Sequence, residues 1–312
     1  MNIKLFFCGG TISSATDNNV ISLSKEFNSD INALFQKYYP KHKYFTKHIC
    51  NKHSENYFLS DISLMIGSIK EGIANMDGAI VFCGTDTLAY TAAYLYYGLD
   101  NIKIPVILVS ANYILSHPKS NGRDNISLAV KMVEEQERGV FVAYRNEGEL
   151  PKLFVANTLL AIPCFSDRVL AFPCPYAVWQ DNRLVITDKM VTYNHIEYNC
   201  NNIRPCVVYI VSAIGLDFSF YLSQSKQPKA YMIECFHSST VTTEPAEDYA
   251  SSINDFAKQC AANGVEVYLA GFEKKDDYYH SSSQIDFTII KKVDDMTPIA
   301  LQAMLNLSYS SQ

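Results

Sequence analysis

Short unbroken apolar runs, each ending in small or polar residues, recur along the chain and alternate with stretches of helical period. Residues 3–7 lead into Cys8-Gly9-Gly10-Thr11, and residues 79–82 into Cys83-Gly84-Thr85-Asp86-Thr87. Residues 105–109 lead into Ser110-Ala111-Asn112, and a helical stretch over 126–138 precedes another run at 140–143. Runs rich in Val, Ile and Phe without polar alternation are the pattern of strands buried on both faces. Helices between such strands predict β-α-β units and a parallel sheet. The segment 180–205 is polar, punctuated by Asn194, Asn199, Asn201 and Asn202, and reads as a linker. Beyond it the alternation restarts, with strands at 206–211, 231–234 and 265–270, a helix over 246–263 and a closing helix over 297–307. The expected fold is α/β, with two doubly wound parallel-sheet domains. These are an N-terminal one at 1–185 and a smaller one at 206–312, joined by a linker at 186–205.

At 312 residues the chain exceeds the usual size of one domain, which agrees with this division. The apolar fraction of 48% is too high for disorder. A net charge of −6 argues against a general binder of nucleic acid or anionic membrane, either of which needs a basic surface. No apolar stretch approaches the roughly 18–20 residues that span a bilayer. The first eight residues have the basic and apolar start of a secretory leader. Gly9-Gly10 cuts that run short and no small-residue cleavage site follows, so the segment reads as a first strand and a cytoplasmic location is expected. Nine cysteines with no C-x-x-C pair suggest free thiols in a reducing compartment, not a disulfide framework or a zinc site.

In open parallel sheets, ligands bind beyond the carboxyl ends of strands, where the order of connections reverses. Three such ends here combine glycines, hydroxyls and a carboxylate. Glycine lets backbone N–H groups approach a ligand, and a threonine hydroxyl is a nucleophile once a base removes its proton. Gly84-Thr85-Asp86-Thr87 opens a helix, a place that suits an anion or a developing oxyanion. Singly, Gly9-Gly10-Thr11 reads equally as a tight turn, and Thr85-Asp86-Thr87 as a helix cap. Together, at strand ends, they point to a threonine-centred site.

With these runs the chain resembles the bacterial-type asparaginase/glutaminase family. Gly9-Gly10-Thr11-Ile12 is similar to the family's first signature, and Cys83-Gly84-Thr85-Asp86-Thr87 to its second, His-Gly-Thr-Asp-Thr. Pro105 to Ala111 resembles the third-strand motif, and Ser120-Asn121-Gly122-Arg123-Asp124-Asn125 the family's Ser-Asp-Gly-x-x-Asn. Asp295-Met296-Thr297-Pro298-Ile299-Ala300-Leu301 resembles its Asp-Met-Thr-x-Glu-Ala-Ala. The resemblance implies hydrolysis of the side-chain amide of asparagine or a related small amide, releasing ammonia, at a site on strand carboxyl ends between the two domains. Thr11 would be the nucleophile, with Thr85 and Asp86 as catalytic partners. Gly10, Ser54, Glu55 and Gly84 would hold substrate, and the Ala111 carbonyl would lie near the leaving amide. No metal or organic cofactor is implied. The partners expected are a small-molecule amide and further copies of the chain in a homodimer or homotetramer, with no nucleic acid and no membrane.

Two activating elements of the family pattern are missing. A tyrosine should follow the first threonine on a lid, but residues 13–25 hold none, and Val20, Ile21 or Ser22 stands in its place. A lysine should follow the strand at 140–143, where the counterpart reads Val155-Ala156-Asn157-Thr158 and Lys152 comes five residues early. The family's Gly-rich turn is replaced by Cys235-Phe236-His237-Ser238-Ser239-Thr240, its second-motif His by Cys83, and its Ser-Asp-Gly Asp by Asn121. Either another base serves, with Lys152, His53 and His237 as candidates, or catalysis is weak and the fold binds an amino-acid-like ligand. Loss of positioned acid–base help costs about 10²–10⁴-fold in rate. A component of a tRNA-dependent amidotransferase is the third reading. It is disfavoured because such members carry an extra N-terminal domain, whereas the first motif here begins by residue 9.

Overall fold

The computed structural model describes residues 1–17, 20–24, 27–187, 198, 200–274 and 276–311. The chain divides into two compact units, Met1–Ile203 and Arg204–Gln312. Most of the segment read as a linker, at 188–197 and 199, lies outside the described residues.

In the first unit, β1 (Asn2–Gly9) is followed by a small antiparallel hairpin, β2 (Ser14–Asp17) and β3 (Val20–Leu23). Then come α1 (Phe27–Tyr38), β4 (Lys43–Lys52), α2 (Leu59–Gly72), β5 (Gly78–Phe82) and α3 (Leu88–Gly98). β6 (Pro105–Val109), α4 (Gly122–Glu135) and β7 (Gly139–Tyr144) continue the alternation. Three further strands, β8 (Lys152–Val155), β9 (Ala177–Gln180) and β10 (Arg183–Ile186), extend the sheet antiparallel.

The sheet order is β10-β9-β8-β7-β6-β5-β1-β4, with β4, β1, β5, β6 and β7 mutually parallel. Every residue of β5 and β6 is buried, as strands covered on both faces require. Phe7, Phe82, Ile107, Val109 and Phe141 from the sheet pack with Ile126, Val130 and Val133 of α4 in one core. From β1 the chain goes first to β4 on one side, then crosses to β5, β6 and β7 on the other. The reversal therefore falls between β1 and β5, the two strands that end in Gly9-Gly10-Thr11 and Cys83-Gly84-Thr85. This is the switch point at which doubly wound sheets bind their ligands.

The second unit holds a parallel four-stranded sheet in chain order. Its strands are β11 (Val207–Val211), β12 (Ala230–Glu234), β13 (Glu266–Phe272) and β14 (Ile290–Asp294). Between and after them lie α5 (Ser219–Leu222), α6 (Ile253–Ala262), α7 (His280–Ser283) and α8 (Pro298–Ser310). Ile253, Phe256 and Cys260 of α6 pack with Ile210, Tyr231, Ile233 and Leu269 of the sheet.

Two boundaries differ from the sequence expectation. α6 starts at Ile253, not at 246. Pro245 and a Ser251 hydroxyl that accepts from Ala246 N–H (2.6 Å) and donates to the Glu244 carbonyl (2.8 Å) hold a turn there, and Ser252 caps the helix through Asp255 N–H. α4 begins at Gly122 and stops at Gln136, whose left-handed backbone (φ 57°) ends the helix three residues before β7.

Candidate active site

β1 ends in two glycines with positive φ, Gly9 at 97° and Gly10 at 85°. A Cβ on Gly10 would lie 2.3 Å from the Cα of Gly84, and one on Gly84 would lie 2.3 Å from the Ser54 Oγ. Three sequence motifs therefore meet backbone to backbone, with no space for a side chain between them. The 3₁₀ turn Thr11–Ser13 follows, braced by Ser13 Oγ on the Gly9 carbonyl (3.1 Å) and Ser14 Oγ on the Gly10 carbonyl (3.0 Å). These short contacts fix the path of the backbone that carries Thr11.

Thr11 is half-buried, and among the described residues no side chain hydrogen-bonds its hydroxyl. Across the switch point, the Thr85 hydroxyl donates to the Ala111 carbonyl at the end of β6 (3.2 Å). Thr87 Oγ1 donates to the Ser54 carbonyl (3.3 Å), which ties the 3₁₀ turn Ser54–Asn56 to the start of α3. Ser54 is buried beneath Gly84, whereas Glu55 and Asp86 are exposed. Gly10, Thr11, Ser54, Gly84, Thr85 and Ala111 are thus linked by contacts. Asp86 and Glu55 adjoin this set by sequence.

An amide network behind the site is one that residue-by-residue reading of the motifs did not foresee. Asn121 Oδ1 accepts from Asn112 N–H (3.0 Å), Asn112 Oδ1 accepts from Asn121 N–H (3.1 Å), and Asn121 Nδ2 donates to the Arg145 carbonyl (2.9 Å). Asn125 Nδ2 donates to the Ser110 carbonyl (2.9 Å) and its Oδ1 accepts from Arg145 N–H (2.7 Å). These bonds clamp the segment carrying Ala111 against the ends of β6 and β7. An amide at 121 donates and accepts at once, which an ionised carboxylate there would not do. The signal for it was two asparagines four apart at a helix start, on one face.

The candidate replacement bases fall elsewhere. The Lys152 ammonium pairs with Glu149, which also takes Arg168, and the Lys152 hydrogen bond holds that carboxyl below its ordinary range. Asn157, at the counterpart of the family's lysine, is buried in a 3₁₀ turn, Ala156–Thr158, that packs against α3. His237 is exposed on the turn after β12, which Ser239 pins through Glu273 N–H (2.9 Å) and the Ser282 hydroxyl (2.9 Å). His53 precedes the Ser54 turn and is half-buried. Val20 and Ile21 lie on β3, and nothing is described of their side chains.

Burial pushes the Cys83 thiol up to about 12, so beside Thr85 it stays protonated and is no nucleophile. The Tyr57 phenol is raised far above its ordinary value by burial, and its hydroxyl donates to the Cys8 carbonyl (2.6 Å). It therefore does not replace the missing lid tyrosine as a base. Among the described residues no group of three His, Cys, Asp or Glu side chains could hold a metal ion. None of the described helices is long and apolar enough to cross a membrane.

Comparison with known proteins decides the family. Residues 2–168 match the model of the asparaginase N-terminal domain. The chain belongs to the asparaginase family. Among curated asparaginase-like relatives, a glutamyl-tRNA(Gln) amidotransferase component from Methanococcus maripaludis is 33% identical over 149 residues, 47% of this chain and 35% of that protein. An L-asparaginase from Thermococcus kodakarensis is 30% identical over 80 residues, 26% of this chain and 24% of that one. The match thus spans about a third or less of the length of these relatives. The solved thermostable L-asparaginase of T. kodakarensis superposes with a TM-score of 0.80 at 18% identity, covering 100% of this chain and 94% of the other. L-asparaginase I from Vibrio cholerae gives 0.76 at 19%, covering 100% and 93%. At such identities the likeness establishes the asparaginase fold, mixed α/β with parallel sheets.

Proposed function

We propose that this asparaginase-family chain hydrolyses the side-chain amide of asparagine or a related small amide, with Thr11 as nucleophile. The observation that carries the reading is the contact of Gly10 with Gly84, which brings Thr11 and Thr85 to one switch point. The Thr11 oxygen attacks the amide carbon, the C–N bond breaks, and ammonia leaves with the hydroxyl proton. Water then cleaves the acyl-enzyme. Asp86 takes the substrate's amino group and Ser54 and Glu55 its carboxylate and amine, while Gly10 and Gly84 allow close backbone approach. Thr85 is the second threonine, held against the Ala111 carbonyl beside the leaving amide.

The same geometry favours a slow enzyme. Lys152 is engaged by Glu149, and Asn157 stands where an ammonium would polarise Thr85. An enzyme lacking that help falls about 10²–10⁴-fold below one that has it. The bond from Thr85 to Ala111 supports a second reading, an asparaginase-fold module that binds an amino-acid-like ligand with little turnover. The likeness to the amidotransferase component supports a third, amide hydrolysis that supplies ammonia within a larger assembly. A homodimer or homotetramer remains part of the first reading.

The test is ammonia release from L-asparagine, L-glutamine and their D-isomers, with Thr11→Ala as control. Release from at least one amide, lost in the variant, is the expected result. Thermal stabilisation by an amino acid with no release from any amide sinks the hydrolase in favour of the binding module.

A further inference from the structure

Cys8 and Cys50 take no part in the threonine chemistry, yet they meet directly behind it. Cys8 immediately precedes Gly9-Gly10-Thr11 on β1, and Cys50 lies on β4. The ladder between these strands shifts register there: Phe7 pairs with His48 and Gly9 with Lys52, so Cys8 faces a bulge that contains Cys50. The Cys50 sulfur lies 3.4 Å from the Cys8 carbonyl, and the two thiols are in hydrogen-bonding contact. Neighbouring strands lie about 4.8 Å apart, within the Cα separation of roughly 4.4–6.8 Å that a disulfide spans. An unpaired bulge residue has room to take up the small movement that remains.

The two sulfurs differ in access and acidity. Cys50 is half-exposed and Cys8 is buried. The hydrogen bond from Cys8, helped by the Lys52 ammonium, holds the Cys50 thiol below its ordinary value against burial and the Asp61 carboxylate. Cys50 is therefore the sulfur that an oxidant reaches first, as a thiolate.

We propose that Cys50 is a peroxide-modification site and that Cys8 resolves it as a Cys8–Cys50 disulfide. In the first step the Cys50 thiolate attacks one oxygen of hydrogen peroxide. An S–O bond forms, the O–O bond breaks, and hydroxide departs, so Cys50 is oxidised to a sulfenic acid and the peroxide is reduced. In the second, the Cys8 sulfur attacks the Cys50 sulfur, the S–S bond forms, the S–O bond breaks, and hydroxide leaves with the Cys8 proton as water. The bridge ties the end of β1 to β4 and draws the Cys50 sulfur off the Cys8 carbonyl, one residue from Gly9-Gly10. Its effect on turnover rests on the amidohydrolase reading above; its formation does not.

The test treats the full chain with hydrogen peroxide without denaturant, blocks free thiols by alkylation, digests it, and maps the peptides by mass with and without reductant. A linked Cys8–Cys50 peptide that reductant separates is expected, with buried Cys83 alkylated only after unfolding. In Cys8→Ser the Cys50 sulfenic acid accumulates and is captured by dimedone. Cys50 carried to the sulfinic acid without linkage, or left unchanged while exposed Cys164 is oxidised, overturns the proposal. Where ammonia release is measurable, it falls on linkage, returns with reductant, and resists peroxide in Cys50→Ser. A chain that links but releases no ammonia even when reduced refutes the hydrolase reading and leaves the modification site standing.

Discussion

Gly10 sits at φ 85° and ψ 177°, a region open essentially to glycine alone, and its α-carbon faces Gly84 without space for a methyl group. Gly10→Ala therefore adds backbone strain of about 1–3 kcal/mol to a clash with backbone that has no side-chain end to swing away. Urea unfolding should place the variant below the parent by at least that amount, with Thr11 displaced. Equal midpoints would mean that the strand end relaxes freely. Buried thiols set a second expectation. Burial raises Cys83, Cys235 and Cys260 from the ordinary value of 9.0 to about 12. Above pH 9 the unfolded chain releases these protons and the folded one keeps them, so stability falls as pH rises from about 9 towards about 12. Thermal midpoints across that window should decline, and the decline should shrink in Cys83→Ala. That residues 9–11 and 84–86 carry the site was legible because glycine and threonine at strand ends have few other uses together. That Thr85 gives its proton to Ala111 was not, because a hydroxyl's partner depends on the neighbouring strand.

The elements that carry these residues are ones whose burial the hydrophobic pattern already dictates. β5 and β6 have no polar position to expose, and nine of the eleven residues of α3 are buried, so none of the three could lie at a surface. α3 approaches α2 where Gly98 faces Ile66, and a methyl group there would fall 2.4 Å from the Ile66 Cδ1. Gly98→Ala should cost about 1–3 kcal/mol through overpacking, read as a lower midpoint in denaturant, and Ile66→Val in the same chain should recover part of it. Boundaries were less legible. The start of α6 is set by a serine hydroxyl bonded to residues on either side of it in the turn, and the antiparallel strands β8 to β10 are short and only partly buried. Neither leaves the long apolar period that identifies β1, β5, β6 and β7. At the start of α4, Asn121→Asp removes the donor to the Arg145 carbonyl while keeping an acceptor for Asn112 N–H. A drop of several-fold in turnover with little change in KM is expected, since the clamp acts on Ala111 and not on substrate.

At the scale of the molecule, topology makes the site. The order β4-β1-β5-β6-β7 puts its reversal between the strands ending in the two threonine motifs, so residues 74 positions apart share one crevice mouth. The family and its fold follow from the match over residues 2–168 and from TM-scores of 0.80 and 0.76. What the chain adds is a set of departures: asparagine at 121 and 157, cysteine at 8, 50 and 83, and a lysine at 152 committed to Glu149. These departures concern how the threonines are activated and controlled, and they leave the architecture alone.

The central claim is that Thr11 forms an acyl-enzyme with a side-chain amide. Hydroxylamine competes with water for such an intermediate and converts it to a hydroxamate. Purified chain incubated with L-asparagine or L-glutamine and hydroxylamine should yield the corresponding hydroxamate in step with ammonia, and Thr11→Ala should yield neither. Ammonia release that persists in Thr11→Ala, or release in the parent with no hydroxamate at any hydroxylamine concentration, would contradict it.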